Sequence, residues 1–226
     1  MAVAAAPVDS RTRLAAGGLY LLTPPAIDAR WVATVLPAVL AEAPGILQLR
    51  LKPADSDVLP LALRLRELTL ASRTLLIVND DVALALACRA DGVHLGRADM
   101  RIAAARDRLG AEALIGATCH ADPDLAETAL AAGADYLAFG AIHASTSKPA
   151  AAVCGLAPLR AARARFRAPL VAIGGITVDR AAACLEAGAD WLAVIAGVWA
   201  SPEPAAAVRA FHAVLAERPC PGLGPT

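Results

Sequence analysis

The sequence predicts an α/β protein built as a single (β/α)8 TIM barrel. Eight short runs rich in Leu, Ile and Val recur along the chain, and alanine- and leucine-rich segments long enough for helices lie between them. A motif of small residue, Asp and strand returns three times, in "RADGVHL", "GADYLAF" and "GADWLAV", as repeated βα modules would produce. The main competitor is an open doubly wound sheet. Against it, no G-x-G-x-x-G follows the first run, where "LLTPPAID" stands instead.

The expected strands are 18–22 (GLYLL), 46–50 (ILQLR), 74–78 (TLLIV), 92–95 (GVHL), 114–117 (LIGA), 135–139 (DYLAF), 170–173 (LVAI) and 191–195 (WLAVI). Runs such as TLLIV are apolar throughout, which fits strands covered on both faces. Helical segments include Val58–Ser72, Asp124–Ala132, Val178–Ala187 and Pro204–Leu215. Gly133 and Gly188 stand where a helix C-terminus needs a left-handed residue. Residues 1–17 read as an N-terminal extension, 18–217 as the barrel, and the Pro- and Gly-rich 218–226 as a flexible tail.

Composition narrows the function classes. Of 226 residues 58% are hydrophobic, much of the excess being alanine, so a substantial core is expected. No window of about 18 apolar residues escapes a charge, so no membrane span is expected. The start, "MAVAAAPVDSR", lacks the basic region of a signal peptide. A formal net charge of zero argues against a broad nucleic-acid surface. The five cysteines (Cys88, Cys119, Cys154, Cys184 and Cys220) are scattered without a C-x-x-C pair. They suit neither a disulfide framework nor a zinc site, and read as small buried residues of a cytoplasmic protein.

Barrel chemistry sits at the C-terminal ends of the strands, and the unusual polar residues of this chain fall there. Gln48, Arg50 and Lys52 alternate along the second strand and would share a face. Two cations on one side of a buried strand are costly unless an anion meets them, so a phosphate or diphosphate fits; otherwise they are strand-end residues reaching solvent. Asn79 and Asp80 follow the third strand, His94 ends the fourth, and Asp99 comes soon after. Two carboxylates from adjacent strand ends suit Mg2+. Asp80 reads equally as a helix N-cap, and Asp99 as a first-turn acid. His94 reads as a satisfied core or strand-end histidine supporting the turn at Gly96. Thr118 and His120 follow the fifth strand. "STSK", with Thr146, Ser147 and Lys148, offers hydroxyls, N–H groups and a cation as a phosphate cradle, or is a surface loop. Gly175 in "AIGGI" permits close backbone approach to an anion.

Taken in order, "ILQLRLK", "LLIVNDDVALALACRADGVHLGRADM", "LIGATCH", "DYLAFGAIHASTSK" and "LVAIGGI" resemble thiamine-phosphate synthase and its TenI-like relatives, over residues 18–200. The resemblance implies a transferase that joins 4-amino-5-hydroxymethyl-2-methylpyrimidine diphosphate to a thiazole phosphate, giving thiamine phosphate and diphosphate. It implies Mg2+ as cofactor and a dissociative substitution in which the diphosphate leaves before the thiazole nitrogen attacks. By position, Gln48, Arg50, Lys52 and Asn79 would grip the pyrimidine diphosphate, with Lys148 and Thr118 at the diphosphate. Arg50, Lys52 and Lys148 would be the catalytic cations. Asp80 and Asp99 would hold the metal, and Thr146, Ser147 and Gly175 would receive the thiazole phosphate. The implied partners are small molecules, with no nucleic acid and no membrane, and a homo-oligomer is compatible.

The chain departs from the family at several positions. Arg97 stands where Gln is usual, Ala141, His143 and Ala144 replace a Pro, an aromatic and a Pro, and Pro24 replaces an early Asp. Ala196 replaces a serine after the eighth strand; backbone N–H groups can offset that donor. Two further readings remain. A TenI-like thiazole tautomerase would use His120 as acid or base without a metal, and a non-catalytic barrel would bind thiamine phosphates. Retention of both Asp80 and Asp99 favours the synthase, because an isomerase has no diphosphate leaving group to neutralise.

Overall fold

The computed structural model describes residues 9–51, 58–145, 150 and 152–217. The chain enters through α1 (Ser10–Ala16) and β1 (Gly18–Leu22). It continues through α2 (Ala29–Thr34), α3 (Leu36–Ala41), β2 (Ile46–Leu49), α4 (Val58–Ala71), β3 (Leu75–Asn79), α5 (Val82–Ala87) and β4 (Gly92–Leu95). Then come α6 (Ile102–Leu109), β5 (Leu114–His120), α7 (Pro123–Ala131), β6 (Tyr136–Phe139), α8 (Ala157–Arg165) and β7 (Leu170–Ile173). The chain ends through α9 (Val178–Glu186), β8 (Trp191–Val194), α10 (Ala196–Trp199) and α11 (Pro204–Ala216).

The eight strands pair in sequence order, all parallel, and β1 closes on β8 through Gly18 to Leu21 against Trp191 to Val194. The (β/α)8 barrel expected from the sequence is therefore present. β1, β4 and β7 have the expected bounds. β5 runs on to His120 because its register on β6 shifts between Thr118 and His120, where an extra residue bulges out. β2 stops at Leu49, so Arg50 lies beyond the strand. Among the described residues no helix is long and apolar enough to cross a membrane.

Alternation along the strands divides the apolar residues into two cores. Leu21, Leu47, Leu76, Ile115, Leu137 and Leu192 face the helices. Tyr20, Ile46, Ile77, Leu114, Tyr136 and Trp191 fill the barrel itself. Its three aromatic side chains pack edge to face, Tyr20 lying 6.0 Å from Tyr136 and 6.5 Å from Trp191 between ring centroids. Glycines make the room, one on the strand next to Tyr136 and one just before β2. A Cβ at Gly116 would lie 2.0 Å from the Tyr136 ring, and one at Gly45 would lie 2.6 Å from Trp191. At the N-terminal end, α1 closes the barrel by inserting Leu14, whose carbonyl accepts the Trp191 Nε1–H at 2.8 Å. Asp9 caps α1 by accepting from the N–H groups of Arg11 and Thr12.

The repeated motif has a structural cause at the same end. Asp91, Asp135 and Asp190 stand just before β4, β6 and β8. Each carboxylate accepts the first or second N–H of the preceding strand: Leu76 at 2.7 Å, Ile115 at 2.8 Å and Leu170 at 2.8 Å. Each also pairs with an arginine of the helix before that strand: Arg66 at 2.7 Å, Arg106 at 2.6 Å and Arg163 at 2.8 Å. The residue two before each Asp ends a helix with positive φ. It is Gly133 (99°) and Gly188 (100°) in two cases and Arg89 (54°) in the third. Arg11 of α1 joins the second clamp at Asp135.

These clamps set an expectation for stability. Asp135→Ala leaves the Ile115 N–H and the Arg106 guanidinium without their acceptor in a site where the Asp135 side chain is 8% exposed, and is expected to cost about 2–4 kcal/mol. Asp124→Ala removes a surface pair with Arg165, in which Asp124 is 84% exposed, and is expected to cost less than about 1 kcal/mol. Urea unfolding of the two variants, read at equal m-value, checks the difference.

Candidate active site

Above the aromatic filling, the barrel carries a chain of hydrogen bonds. Gln48 Nε2 donates to the Tyr20 hydroxyl at 2.6 Å, and the Tyr20 and Tyr136 hydroxyls lie 2.9 Å apart. The Tyr136 hydroxyl lies 3.2 Å from His94 Nδ1, and His94 Nε2 lies 2.9 Å from Thr118 Oγ1. Register explains the meeting. Leu22 pairs with Gln48, Asn79 with His94, His94 with Gly116, and Thr118 with Ala138, so inward positions of six strands, β1 to β6, stand at neighbouring heights. His94 also stacks on Tyr136 at 5.6 Å. Burial pushes its imidazole down to about 4, against a weak opposing pull from Asp99, so the ring is neutral at pH 7. Burial drives both tyrosine hydroxyls above the ordinary tyrosine range, keeping them protonated. His94 is therefore a satisfied interior histidine, as one expectation had it. It does not support the turn at Gly96; its side chain bonds Tyr136 and Thr118.

The C-terminal mouth begins just above. Thr23, which is buried, accepts the Arg50 N–H through Oγ1 at 3.0 Å and so fixes the backbone where Arg50 leaves β2. Asn79 ends β3, and its Nδ2 donates to Asp80 Oδ2 at 2.6 Å. Asp80 has a left-handed backbone, φ 63°, and its N–H donates to the His94 carbonyl at 2.9 Å, which ties it to β4. It is not the helix cap: Asp81 caps α5 by accepting from Leu84 N–H at 2.9 Å. Nor does Asp99 lie in a first helical turn, because α6 starts at Ile102. Asp99 Oδ2 instead accepts the Gly96 N–H at 2.7 Å and closes the turn that follows β4.

Gly174 and Gly175 have φ of 104° and 61°, and a Cβ on Gly175 would lie 2.2 Å from the Ala144 carbonyl oxygen. The glycines thus serve the close packing of the loops after β6 and β7, which also join through His143 N–H to the Gly174 carbonyl at 3.0 Å. His120 is exposed at the end of β5, with φ 53°. Ala196 opens α10 with no side-chain donor. Cys88, Cys119 and Cys184 are buried and Cys154 is half-buried, all as free thiols. Burial pushes Cys119 up to about 12, which rules out a thiolate at neutral pH. Lys52, Thr146, Ser147, Lys148 and Cys220 lie outside the described residues.

The arrangement defines a class: a closed parallel (β/α)8 barrel whose C-terminal end has a neutral hydrogen-bonded floor and two carboxylates at neighbouring strand ends. Comparison with known proteins narrows it. Residues 19–198 match the family model described as "Thiamine monophosphate synthase", and the chain belongs to that family. It is 50% identical over 200 residues to the thiamine-phosphate synthase of Azoarcus sp. (strain BH72), covering 88% of this chain and 97% of that one. It is 48% identical to that of Thioalkalivibrio sulfidiphilus (strain HL-EbGR7), covering 87% and 94%. Among solved structures, the thiamine phosphate pyrophosphorylase from Pyrococcus furiosus superposes with a TM-score of 0.78 at 32% identity, covering 92% of this chain and 98% of that one.

Sequence reasoning missed Tyr20, Tyr136 and Thr23. The signal for the tyrosines was present in "GLYLL" and "YLAF", where a polar-headed ring interrupts an otherwise apolar run. The adjacent acids Asp80 and Asp81 separate cleanly in expected effect. Asp81→Ala loses the α5 cap and about 1 kcal/mol of stability with ligand binding unchanged. Asp80→Asn keeps stability, because Asn tolerates the left-handed backbone. Thermal melts with and without inorganic diphosphate check both.

Proposed function

We propose that the chain is a thiamine-phosphate synthase. It would join 4-amino-5-hydroxymethyl-2-methylpyrimidine diphosphate to a thiazole phosphate, releasing diphosphate. The observation that carries the reading is the pair of carboxylates, Asp80 and Asp99, at the adjoining ends of β3 and β4. Membership of the family supports it.

In the reaction the bond between the pyrimidine methylene and the diphosphate oxygen breaks, and its electron pair leaves with the diphosphate. The thiazole nitrogen then supplies the pair that forms the new C–N bond. No proton transfer to carbon is required, so the work is binding leaving-group charge and holding the nucleophile in line. Arg50, Lys52 and Lys148 would meet the diphosphate, with Thr118 donating beside them. Gln48 and Asn79 would orient the pyrimidine. Thr146, Ser147 and Gly175 would hold the thiazole phosphate.

The donor set at the mouth fits Mg2+. Among the described residues there is no group of three or more His, Cys, Asp and Glu side chains able to hold a metal. Mg2+ needs none, since it takes one or two carboxylates and completes its shell with water and phosphate oxygens. Asp80 and Asp99 would hold it, and when bound it supplies positive charge for the departing diphosphate. Free thiols at the described cysteines support a cytoplasmic setting.

The experiment supplies both substrates with Mg2+, then with the metal chelated, and measures thiamine phosphate. Metal-dependent product is expected. Asp80→Asn and Asp99→Asn each preserve the local backbone, because Asn suits positive φ and its amide oxygen still accepts the Gly96 N–H. Each is expected to lower turnover on the order of 100-fold or more. Folded protein that makes no product but interconverts thiazole tautomers would replace this reading with the isomerase and make His120 the residue to test.

A further inference from the structure

The hydrogen-bond chain in the barrel has a direction, set at one end. The amide nitrogen of Gln48 can only donate, and it donates to the Tyr20 hydroxyl. The Tyr20 oxygen could accept a second bond, but its own hydrogen is buried and Tyr136 is the one acceptor the described hydrogen bonds offer it, so it points to Tyr136, 2.9 Å away, and Tyr136 in turn points its hydrogen at His94 Nδ1. A neutral imidazole that accepts on Nδ1 must carry its proton on Nε2. That proton faces Thr118 Oγ1 at 2.9 Å. Thr118 then accepts from His94, and its own hydroxyl hydrogen is left to point elsewhere.

We propose that Tyr20, Tyr136 and His94 form a polarised relay, anchored by Gln48, that holds Thr118 as a donor directed into the mouth of the barrel. They are positioning residues and act through Thr118. The inference rests on the proposed reading of Thr118 as a contact to the diphosphate, because an anion needs a donor there and a reversed chain would present a lone pair. The anchored part of the relay is isolated from solvent. Tyr20 is 1%, Tyr136 0%, Gln48 2% and His94 9% exposed, so the direction is set where water is excluded, while Thr118 at the far end is half-buried. The same tyrosines are held by packing, Tyr136 in the slot at Gly116 and Tyr20 against Trp191. Each hydroxyl is thus delivered to a fixed point by a ring that cannot move.

Two measurements test the relay. The first is the 15N spectrum of histidine-labelled protein at pH 7, with His94 assigned through His94→Gln. The expected state is a protonated Nε2 and an unprotonated Nδ1, and Tyr136→Phe shifts the tautomer balance toward Nδ1–H. An Nδ1–H tautomer in the unsubstituted protein overturns the proposal without reference to activity. The second is a double-mutant cycle in the synthase assay. Thr118→Val lowers kcat/KM for the pyrimidine diphosphate by about tenfold, Tyr136→Phe by several-fold, and the two together no more than Thr118→Val alone. Thr118→Ser, which keeps the donor, retains activity within about threefold. Losses that multiply would show that Tyr136 acts independently of Thr118 and would sink the relay. A silent Thr118→Val would overturn the diphosphate contact and with it the relay's functional role, while the spectrum still decides its direction. Tyr136→Phe keeps the ring in its slot, so an unchanged melting temperature separates these effects from unfolding.

Discussion

Closing eight parallel strands into a barrel creates an interior that must be filled by side chains, and the way it is filled decides where chemistry can begin. Here three aromatic residues do most of the filling. Trp191 occupies the lower end, sealed by Leu14, while Tyr20 and Tyr136 rise above it. Such rings fit because the backbone facing them is glycine, at position 116 on β5 and position 45 just before β2 most tightly. The consequence reaches the site directly. The hydroxyls of Tyr20 and Tyr136 mark the top of the apolar filling and the bottom of the polar mouth. A phenylalanine would pack equally well but would leave the Gln48 amide and His94 Nδ1 without these partners, and a buried polar group without a partner is expensive. Packing and site are therefore one arrangement seen from two ends.

The opposite end of the barrel carries the other recurring device. Asp91, Asp135 and Asp190 each satisfy an N–H at the start of the previous strand and hold an arginine from an earlier helix. Every clamp spans two βα units, which is why the motif returns before alternate strands, β4, β6 and β8. The strand β2, which would complete the series, is preceded by Pro44 and Gly45 instead. There the Thr74 hydroxyl donates to the Pro44 carbonyl at 2.9 Å, and Gly45 yields its Cβ space to Trp191. The departure has a reason: the largest interior side chain needs that position to be glycine. Stability is thus concentrated at the N-terminal end and chemistry at the C-terminal end, the separation that lets loops of this fold change without unfolding it.

The strands were legible because burial on both faces makes them continuous apolar runs, and helix ends such as Gly133 were legible because few residues tolerate positive φ. The end of β5 was not, since the bulge at Cys119 has no local signature in "LIGATCH". Left-handed residues that are not glycine, among them Arg73 and Arg89, were equally silent, because nothing in their chemistry announces the conformation. In the site, Gln48, Asn79, Asp80, Asp99 and Thr118 stood out as polar residues at apolar strand ends. The relay that joins two of them did not. Tyr20 and Tyr136 are 116 residues apart, and only the register of a closed barrel brings their hydroxyls together.

The step from β3 to α5 shows how the mouth separates structural from chemical demands within two residues. Asp81 does ordinary work as a cap, and serine or asparagine would do it nearly as well. Asp80 sits in a left-handed conformation that an L-residue adopts at a cost of about 1 kcal/mol or more, where glycine would adopt it freely. The neighbours hold it there, through the His94 carbonyl on one side and the Asn79 amide on the other. Strain of this kind persists where surrounding structure over-determines it, as it does for Arg73 and Arg89 at helix ends, so the backbone alone does not mark a functional residue. What glycine at position 80 would lack is the carboxylate. In the proposed synthase the backbone at Asp80 would be the cost of presenting that carboxylate beside the turn that Asp99 closes.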